Sequence, residues 1–168
     1  TLSEAELLAK CNAKDVLLAM QMTGIGVYNF IELVSKYPET KFSTIVDNKK
    51  SIVNFDEASK KNRIKASLWL DINNGNNRTG ISPTNEAALL YRDIHQSSNL
   101  IVKGLHVYDG HIRDSDINIR KENCDLQFEK VIELKEEIES LGIEVKTIVA
   151  GGTPTFPIHS KRDNVEVS

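Results

Sequence analysis

The 168-residue sequence contains only two cysteines and no long hydrophobic stretch. Cys11 and Cys124 are too few for a disulfide framework and belong to no CxxC pair, so we expect a cytoplasmic protein. No segment approaches the roughly 20 consecutive apolar residues of a membrane-spanning helix. The sequence therefore predicts a protein that does not span a membrane, and no membrane partner is expected. The polar start around Thr1 and Glu4 does not resemble a signal peptide.

An excess of charge of one sign is also absent. The sequence has 21 basic and 24 acidic residues, and its lysines and arginines are spread along the whole chain. Proteins that bind nucleic acid usually concentrate basic residues on one face, so no nucleic-acid partner is expected. With 40% hydrophobic and 27% charged residues, the composition is typical of one soluble globular domain.

Short apolar runs alternate with longer amphipathic stretches. The apolar runs predict buried strands at residues 15–20, 41–47, 66–72, 100–108 and 145–150, with 165–167 opening a sixth. The other stretches predict a first helix with capping-box spacing at Thr1 and Ser3, and helices over 27–37, 49–63, 85–96 and 124–141. This alternation predicts an α/β fold of parallel βαβ units. A doubly wound sheet and a (β/α)₈ barrel both fit it, although a complete barrel needs about 250 residues.

Glycines and polar residues gather at the predicted C-terminal ends of the strands, where α/β folds place their reactive groups. Gly151, Gly152 and Thr153 follow the fifth strand. Two glycines let backbone N–H groups approach an anion closely, and the threonine hydroxyl adds a donor. The pattern fits a phosphate-binding turn and an ordinary Gly-Gly turn equally well. Its spacing supports neither a P-loop nor a dinucleotide fingerprint.

Two further strand ends carry candidate chemistry. Arg78 follows the third strand in a loop rich in asparagine and glycine, where it is either a solvated residue or a cation that holds a phenolate or carboxylate. His106 and Tyr108 share one face of the fourth strand, and His111 lies just beyond it. The histidines have no HExxH motif, cysteine or close carboxylate set around them, so no metal site is predicted in the chain.

Four motifs follow one another along the chain. They are Thr1-Leu2-Ser3-Glu4-Ala5-Glu6, Leu68-Trp69-Leu70-Asp71 with Gly75 and Arg78-Thr79-Gly80, Gly104-Leu105 with Tyr108-Asp109-Gly110-His111, and Gly151-Gly152-Thr153-Pro154-Thr155. In this order they resemble the fold-type III pyridoxal-phosphate enzymes, the alanine-racemase-like barrels, and among them the D-threonine aldolases with their D-serine dehydratase relatives. The resemblance covers almost the whole chain and implies a partial (β/α)₈ barrel of the alanine-racemase N-terminal type.

The resemblance implies pyridoxal 5′-phosphate as the cofactor. Arg78 is expected beside the phenolic oxygen of the pyridoxal ring, and Tyr108 is expected to pack against the ring. His111 lines the same mouth and completes the expected catalytic residues, while His106 lies there with a less defined role. The implied cofactor-binding residues are Arg78, Tyr108, Gly151, Gly152 and Thr153.

The family also has parts that this sequence lacks. Its cofactor lysine lies on the first barrel strand, before the segment that begins at Thr1. None of the lysines present matches it, and Lys103 in the fourth strand is predicted by alternation to face away from Tyr108. The β-rich C-terminal domain, which carries the divalent-metal ligands in these families, would follow Ser168. We therefore expect residues 1–168 to be an internal piece of the barrel domain that is inactive by itself.

The implied activity is that of a lyase that cleaves the Cα–Cβ bond of D-β-hydroxy-amino acids to give glycine and an aldehyde. Alternatives on the same fold are a D-serine dehydratase and an amino-acid racemase. A homodimer fits the racemase alternative, because racemases use a tyrosine from a partner subunit. A non-catalytic pyridoxal-phosphate-binding protein and an unrelated phosphate-binding α/β enzyme are alternatives of a different kind. The expected partner is a small D-amino-acid substrate.

Overall fold

Six parallel strands form one curled sheet in the computed structural model, which describes residues 1–163 and 165–167. The strands are β1 (Asp15–Gln21), β2 (Lys41–Val46), β3 (Ala66–Ile72), β4 (Leu100–Val107), β5 (Ile148–Ala150) and β6 (Val165–Val167). The helices are α1 (Leu2–Lys10), α2 (Ile25–Lys36), α3 (Lys49–Asn62), α4 (Asn85–Gln96), α5 (Ile117–Ser140) and α6 (Phe156–His159). Each strand pairs with the next one in the sequence. This order confirms the predicted partial barrel, because a doubly wound sheet reverses its strand order part-way.

Alternate residues of each strand face opposite sides of this half-barrel. On β3, Leu68 and Leu70 belong to the main buried cluster, which also contains the apolar side chains of the helices. Trp69, between them, packs with Ile45 and Val149 in a small separate cluster. The sheet therefore has an outer face covered by helices and an inner face that lines the barrel.

An extra residue in β4 changes which side chains reach the inner face. Leu68 of β3 pairs with Val102, but the next residue, Trp69, pairs with Gly104. Lys103 is the bulged residue, and its amine lies 5.8 Å from the centre of the Trp69 ring. The prediction that Lys103 faces away from the barrel is therefore wrong, because the bulge interrupts the alternation on which it rested.

The helix α5 begins at Ile117 rather than at residue 124. Its N-cap is Asp116, whose carboxylate accepts hydrogen bonds from the backbone N–H groups of Asn118 (2.8 Å) and Ile119 (3.4 Å). Because both isoleucines of this first turn are exposed, the turn carries no apolar stripe that would reveal it. Cys124 consequently lies inside the helix and is buried, rather than at a helix start.

The remaining differences lie near the C-terminal end. The strand β5 covers only 148–150, although Val145 is buried as predicted. The sixth strand is present at 165–167, as predicted. The short helix α6 is an addition to the predicted elements. No helix of the described ranges, 1–163 and 165–167, is long and apolar enough to cross a membrane.

Candidate active site

The turns after β4 and β5 are in direct backbone contact at one end of the sheet. A Cβ atom on Gly152 would lie 2.7 Å from the Cα of Gly110, and a Cβ atom on Gly110 would lie 2.1 Å from the Tyr108 hydroxyl oxygen. The backbone N–H of Gly151 donates to the carbonyl of Val107 (3.1 Å). Because Gly152 meets the backbone of Gly110, only glycine fits there, and this allows the two turns to meet.

Arg78 and Tyr108 are neighbours at this end of the sheet. The guanidinium carbon of Arg78 lies 4.9 Å from the centre of the Tyr108 ring. A cation above an aromatic face is attracted by the negative charge density of that face. Arg78 is exposed and Tyr108 is half-buried, so the pair forms part of the surface around the two turns.

The loop between β3 and α4, which carries Arg78, is held by its own polar groups. The side-chain oxygen of Asn73 accepts a hydrogen bond from the backbone N–H of Asn77 (3.0 Å). Further along, the backbone N–H of Gly80 donates to the carboxylate of Asp47, at the end of β2 (3.0 Å). These two contacts fix the loop on either side of the arginine.

A buried carboxylate–imidazole pair lies on the inner face. Asp71 of β3 and His106 of β4 are register partners, and the His106 Nδ1 atom lies 2.7 Å from a carboxylate oxygen of Asp71. The side-chain amide of Gln21, at the end of β1, donates to the other oxygen (3.5 Å). The ring of His106 therefore uses Nδ1–H as a donor to a carboxylate that joins three strands.

His111 follows the end of β4 and contacts the helix α5. Its Nε2 atom donates to the side-chain oxygen of Gln127 on α5 (2.9 Å). A Cβ atom on Gly75 would lie 3.0 Å from the same ring nitrogen, so the β3–α4 loop packs against this histidine. The Nδ1 atom of His111 is buried and has no hydrogen-bond partner within the described residues.

The two threonines after Gly152 have different environments. The hydroxyl of Thr155 is buried, accepts from the backbone N–H of Gly152 (3.0 Å) and donates to the Asp109 carboxylate. Thr153 is exposed, and neither its hydroxyl nor its backbone N–H has a partner in the part of the chain described. Thr153 is thus the residue of this turn with donors available to a ligand.

Behind the turns, Asp109 is the centre of a fully buried polar cluster with Cys124 and His159. The Nε2–H group of His159 donates to one carboxylate oxygen (2.7 Å), and the sulfur of Cys124 lies 3.3 Å from the same nitrogen. Burial, and then the negative charge of Asp109, raise the pKa of the Cys124 thiol to about 11. The cluster joins the turn after β4, the middle of α5 and the end of α6.

No pattern in the sequence predicts this cluster. Asp109 and Thr155 belong to the strand-end motifs without a role predicted for either, and His159 belongs to no motif. The contact of Asp71 with His106 is likewise not predicted, although both residues lie near the ends of two predicted neighbouring strands.

The sequence model of the family described as "Alanine racemase, N-terminal domain" matches residues 1–167. The chain belongs to this family. No curated protein sequence matches it.

Several solved structures share the fold of this chain. A D-threonine aldolase from Filomicrobium marinum is 22% identical over 100% of this chain, with a TM-score of 0.90. A D-threo-3-hydroxyaspartate dehydratase from Delftia sp. HT23 is 19% identical over 99%, with a TM-score of 0.85. An alanine racemase from Clostridium difficile 630 is 14% identical over 99%, with a TM-score of 0.70. At these identities the likeness shows the fold alone.

The chain spans less than half the length of each of these three structures. It covers 46% of the aldolase, 44% of the dehydratase and 46% of the racemase.

Proposed function

We propose that this chain is part of a pyridoxal 5′-phosphate-dependent lyase that cleaves the Cα–Cβ bond of D-β-hydroxy-amino acids, as a D-threonine aldolase does. The observation that carries the proposal is a pair of contacts at one end of a half-barrel of this family. Arg78 lies against the ring of Tyr108, and Gly110 lies against Gly152 beside them. A second candidate is dehydration of the same substrates, favoured by the fold of the hydroxyaspartate dehydratase.

The shape of the two turns fits the cofactor's phosphate. Gly151 and Gly152 present no side chains, and a Cβ atom on Gly152 would also lie 3.3 Å from the Tyr108 ring. The N–H groups of both glycines already donate within the protein, to Val107 and Thr155. Thr153 would therefore supply the donors to phosphate, through its backbone N–H and its hydroxyl.

Arg78 and Tyr108 would hold the ring end of the cofactor. The guanidinium group is permanently charged and binds a phenolate or carboxylate oxygen through several N–H donors. The half-buried ring of Tyr108 would pack against the ring of the cofactor. When bound, pyridoxal 5′-phosphate supplies an electron sink for bond cleavage at the substrate's Cα. In this proposal, His111 holds or moves a proton at Nδ1, the nitrogen that has no hydrogen-bond partner among the described residues.

The cofactor half of the proposal is tested by titrating pyridoxal 5′-phosphate into the purified chain and following its absorbance. Thr153→Val removes a donor with little change in shape, and we expect it to weaken binding by about tenfold. Thr79→Val, an exposed threonine in the neighbouring loop, is the matched control and is expected to bind normally. Equal affinity of the two variants, or no binding by the unmodified chain, would contradict the phosphate assignment.

The reaction half is tested on the full-length protein with D-threonine, D-serine and D-alanine. Release of glycine and an aldehyde identifies the aldolase, and release of a keto acid with ammonia identifies the dehydratase. Conversion of D-alanine to its L-form identifies a racemase and contradicts both candidates. Arg78→Ala is expected to impair turnover while leaving the melting temperature unchanged, because an exposed loop arginine contributes little to the core.

A further inference from the structure

A group of potential metal ligands lies buried behind the turns of β4 and β5. Asp109, Cys124 and His159 each offer one ligand atom, and all three residues have no exposed surface. We propose that they form a zinc site. This site is independent of the proposed function, because none of its residues belongs to the cofactor-binding set.

The distances between the ligand atoms are close to those of a tetrahedral zinc site. The Asp109 oxygen lies 2.7 Å from His159 Nε2, this nitrogen lies 3.3 Å from the Cys124 sulfur, and the sulfur lies 3.7 Å from that oxygen. Zinc bonds of about 2.0–2.3 Å at tetrahedral angles put such atoms about 3.3–3.6 Å apart. Only the oxygen–nitrogen separation has to widen appreciably, by about 0.6 Å, which small side-chain rotations provide.

The chemistry of the three ligands selects zinc among common divalent ions. Thiolate and imidazole are poor ligands for Mg²⁺ and Ca²⁺, which prefer oxygen, whereas zinc takes sulfur, nitrogen and carboxylate oxygen together. With three protein ligands, a fourth position is left for a water molecule.

Charge balance also favours a divalent cation at this position. On binding, the thiol releases its proton to solvent, so that one thiolate and the Asp109 carboxylate together neutralise the two charges of the ion. A buried site without net charge avoids most of the cost of transferring ions out of water. The imidazole of His159 binds through Nε2 and keeps its proton on Nδ1, which has no other hydrogen-bond partner among the described residues.

A cavity lies beside the chain segments that hold Cys124 and His159. It has a volume of about 300 Å³ between α5 and α6, and its lining includes Asp125 and Ile158. These residues adjoin Cys124 and His159 in the sequence. The element on this side of the cluster is α6, which has only four residues.

The test uses the purified chain, loaded with zinc and then freed of loosely held metal by gel filtration. We expect about one zinc ion per chain by elemental analysis. Cys124→Ser should lower zinc affinity by at least about tenfold in competition with a chromophoric chelator. Cys11→Ser removes the other, exposed cysteine and is the matched control, with an expected affinity equal to that of the unmodified chain.

Cobalt substitution provides a readout that requires the sulfur ligand. We expect a sulfur-to-cobalt charge-transfer band and the intense visible bands of tetrahedral Co²⁺ in the unmodified chain and in Cys11→Ser. A chain that retains no zinc, a Cys124→Ser variant with unchanged affinity, or a cobalt complex without the sulfur band would overturn the proposal. If Cys124→Ser does not fold, the cobalt spectrum of Cys11→Ser decides alone: the sulfur band supports the site, and its absence refutes it.

Discussion

Asp71 is the residue whose loss we expect to disturb the inner face most directly. Its carboxylate accepts from His106 and from Gln21, so it connects β1, β3 and β4 in a buried place. Asp71→Asn keeps the shape but replaces one acceptor oxygen with a donor. We expect the free energy of unfolding, measured with urea, to fall by about 1–3 kcal/mol. Asp15→Asn, at the exposed start of β1, is the control and should change it by less than about 0.5 kcal/mol.

The Cys124 thiol gives the stability of the protein a predictable dependence on alkaline pH. Its pKa in the folded protein, about 11, lies above that of an exposed thiol, so the folded state binds the proton more tightly than the unfolded chain does. The resulting stability is fully present below about pH 8.5 and is lost as the pH rises towards 11. We expect the difference in unfolding free energy between the unmodified protein and Cys124→Ser to shrink by roughly 2 kcal/mol across this range.

The experiment is done with a chelator present, so that only the proton is linked to folding. Tyr91, whose pKa is raised to about 12 by burial, also lowers the stability of the protein as the pH rises from about 10 towards 12, but it does so equally in both proteins and cancels from the difference. Cys11→Ser should follow the unmodified protein at every pH. A constant difference between the unmodified protein and Cys124→Ser would show that this thiol is not held in its protonated form by the fold.

The bulge of β4 brings the backbone at Gly104 very close to the segment before β5. A Cβ atom on Gly104 would lie 1.9 Å from the carbonyl oxygen of Thr147, which is backbone and cannot rotate away. Gly104→Ala must therefore separate the chain segments on either side, and we expect a loss of more than about 3 kcal/mol in unfolding free energy. Gly26→Ala in α2 is the matched control, because its Cβ would meet only Met22 at an ordinary 3.7 Å.

The control should be slightly more stable than the unmodified protein, by about 0.5–1 kcal/mol, since alanine favours the helix and restricts the unfolded chain. Urea denaturation of the three proteins measures both effects. A loss of less than about 1 kcal/mol in Gly104→Ala would mean that the bulge can relax, and would contradict the tight contact between β4 and the segment before β5.

The order of the elements was predictable because each apolar run is short and each is followed by an amphipathic stretch. The bulge was not predictable, because Lys103 leaves the regular alternation through packing between Gly104 and a distant carbonyl group. The start of α5 at Ile117 was not predictable, because Ile117 and Ile119 are exposed and form no apolar stripe. The helix α6 has four residues, which is too few for a periodic pattern.

The candidate site was predictable to the extent that it lies at strand ends. Arg78 and Tyr108 come from motifs at the ends of two neighbouring strands, and the structure brings them into contact. Cys124 and His159 reach Asp109 from the interior of α5 and from α6. Their approach depends on how these two helices pack on the sheet, and no local pattern of the sequence contains that information.

Lys103 and Lys146, the lysines that line the inner face, lie away from the mouth of the half-barrel. Lys103 and Lys146 line a cavity of about 550 Å³ on the inner face, together with Trp69 and Ser43. This cavity lies towards the start of β4, whereas Tyr108 follows the end of that strand. Tyr108 is five positions further along the chain than Lys103, a rise of about 16 Å. That distance exceeds the reach of a lysine side chain.

We therefore expect the chain of 168 residues to bind pyridoxal 5′-phosphate without forming a covalent bond to one particular lysine. The measurement is reduction with borohydride in the presence of the cofactor, followed by mapping of labelled lysines by mass spectrometry. Low and scattered labelling is the expected result, because exposed lysines react weakly and without preference. Lys103→Arg, which keeps a cation above the Trp69 ring, serves as the comparison. Stoichiometric labelling of Lys103 that disappears in this variant would place the reactive amine inside the barrel, and the turns of β4 and β5 would then no longer define the cofactor site.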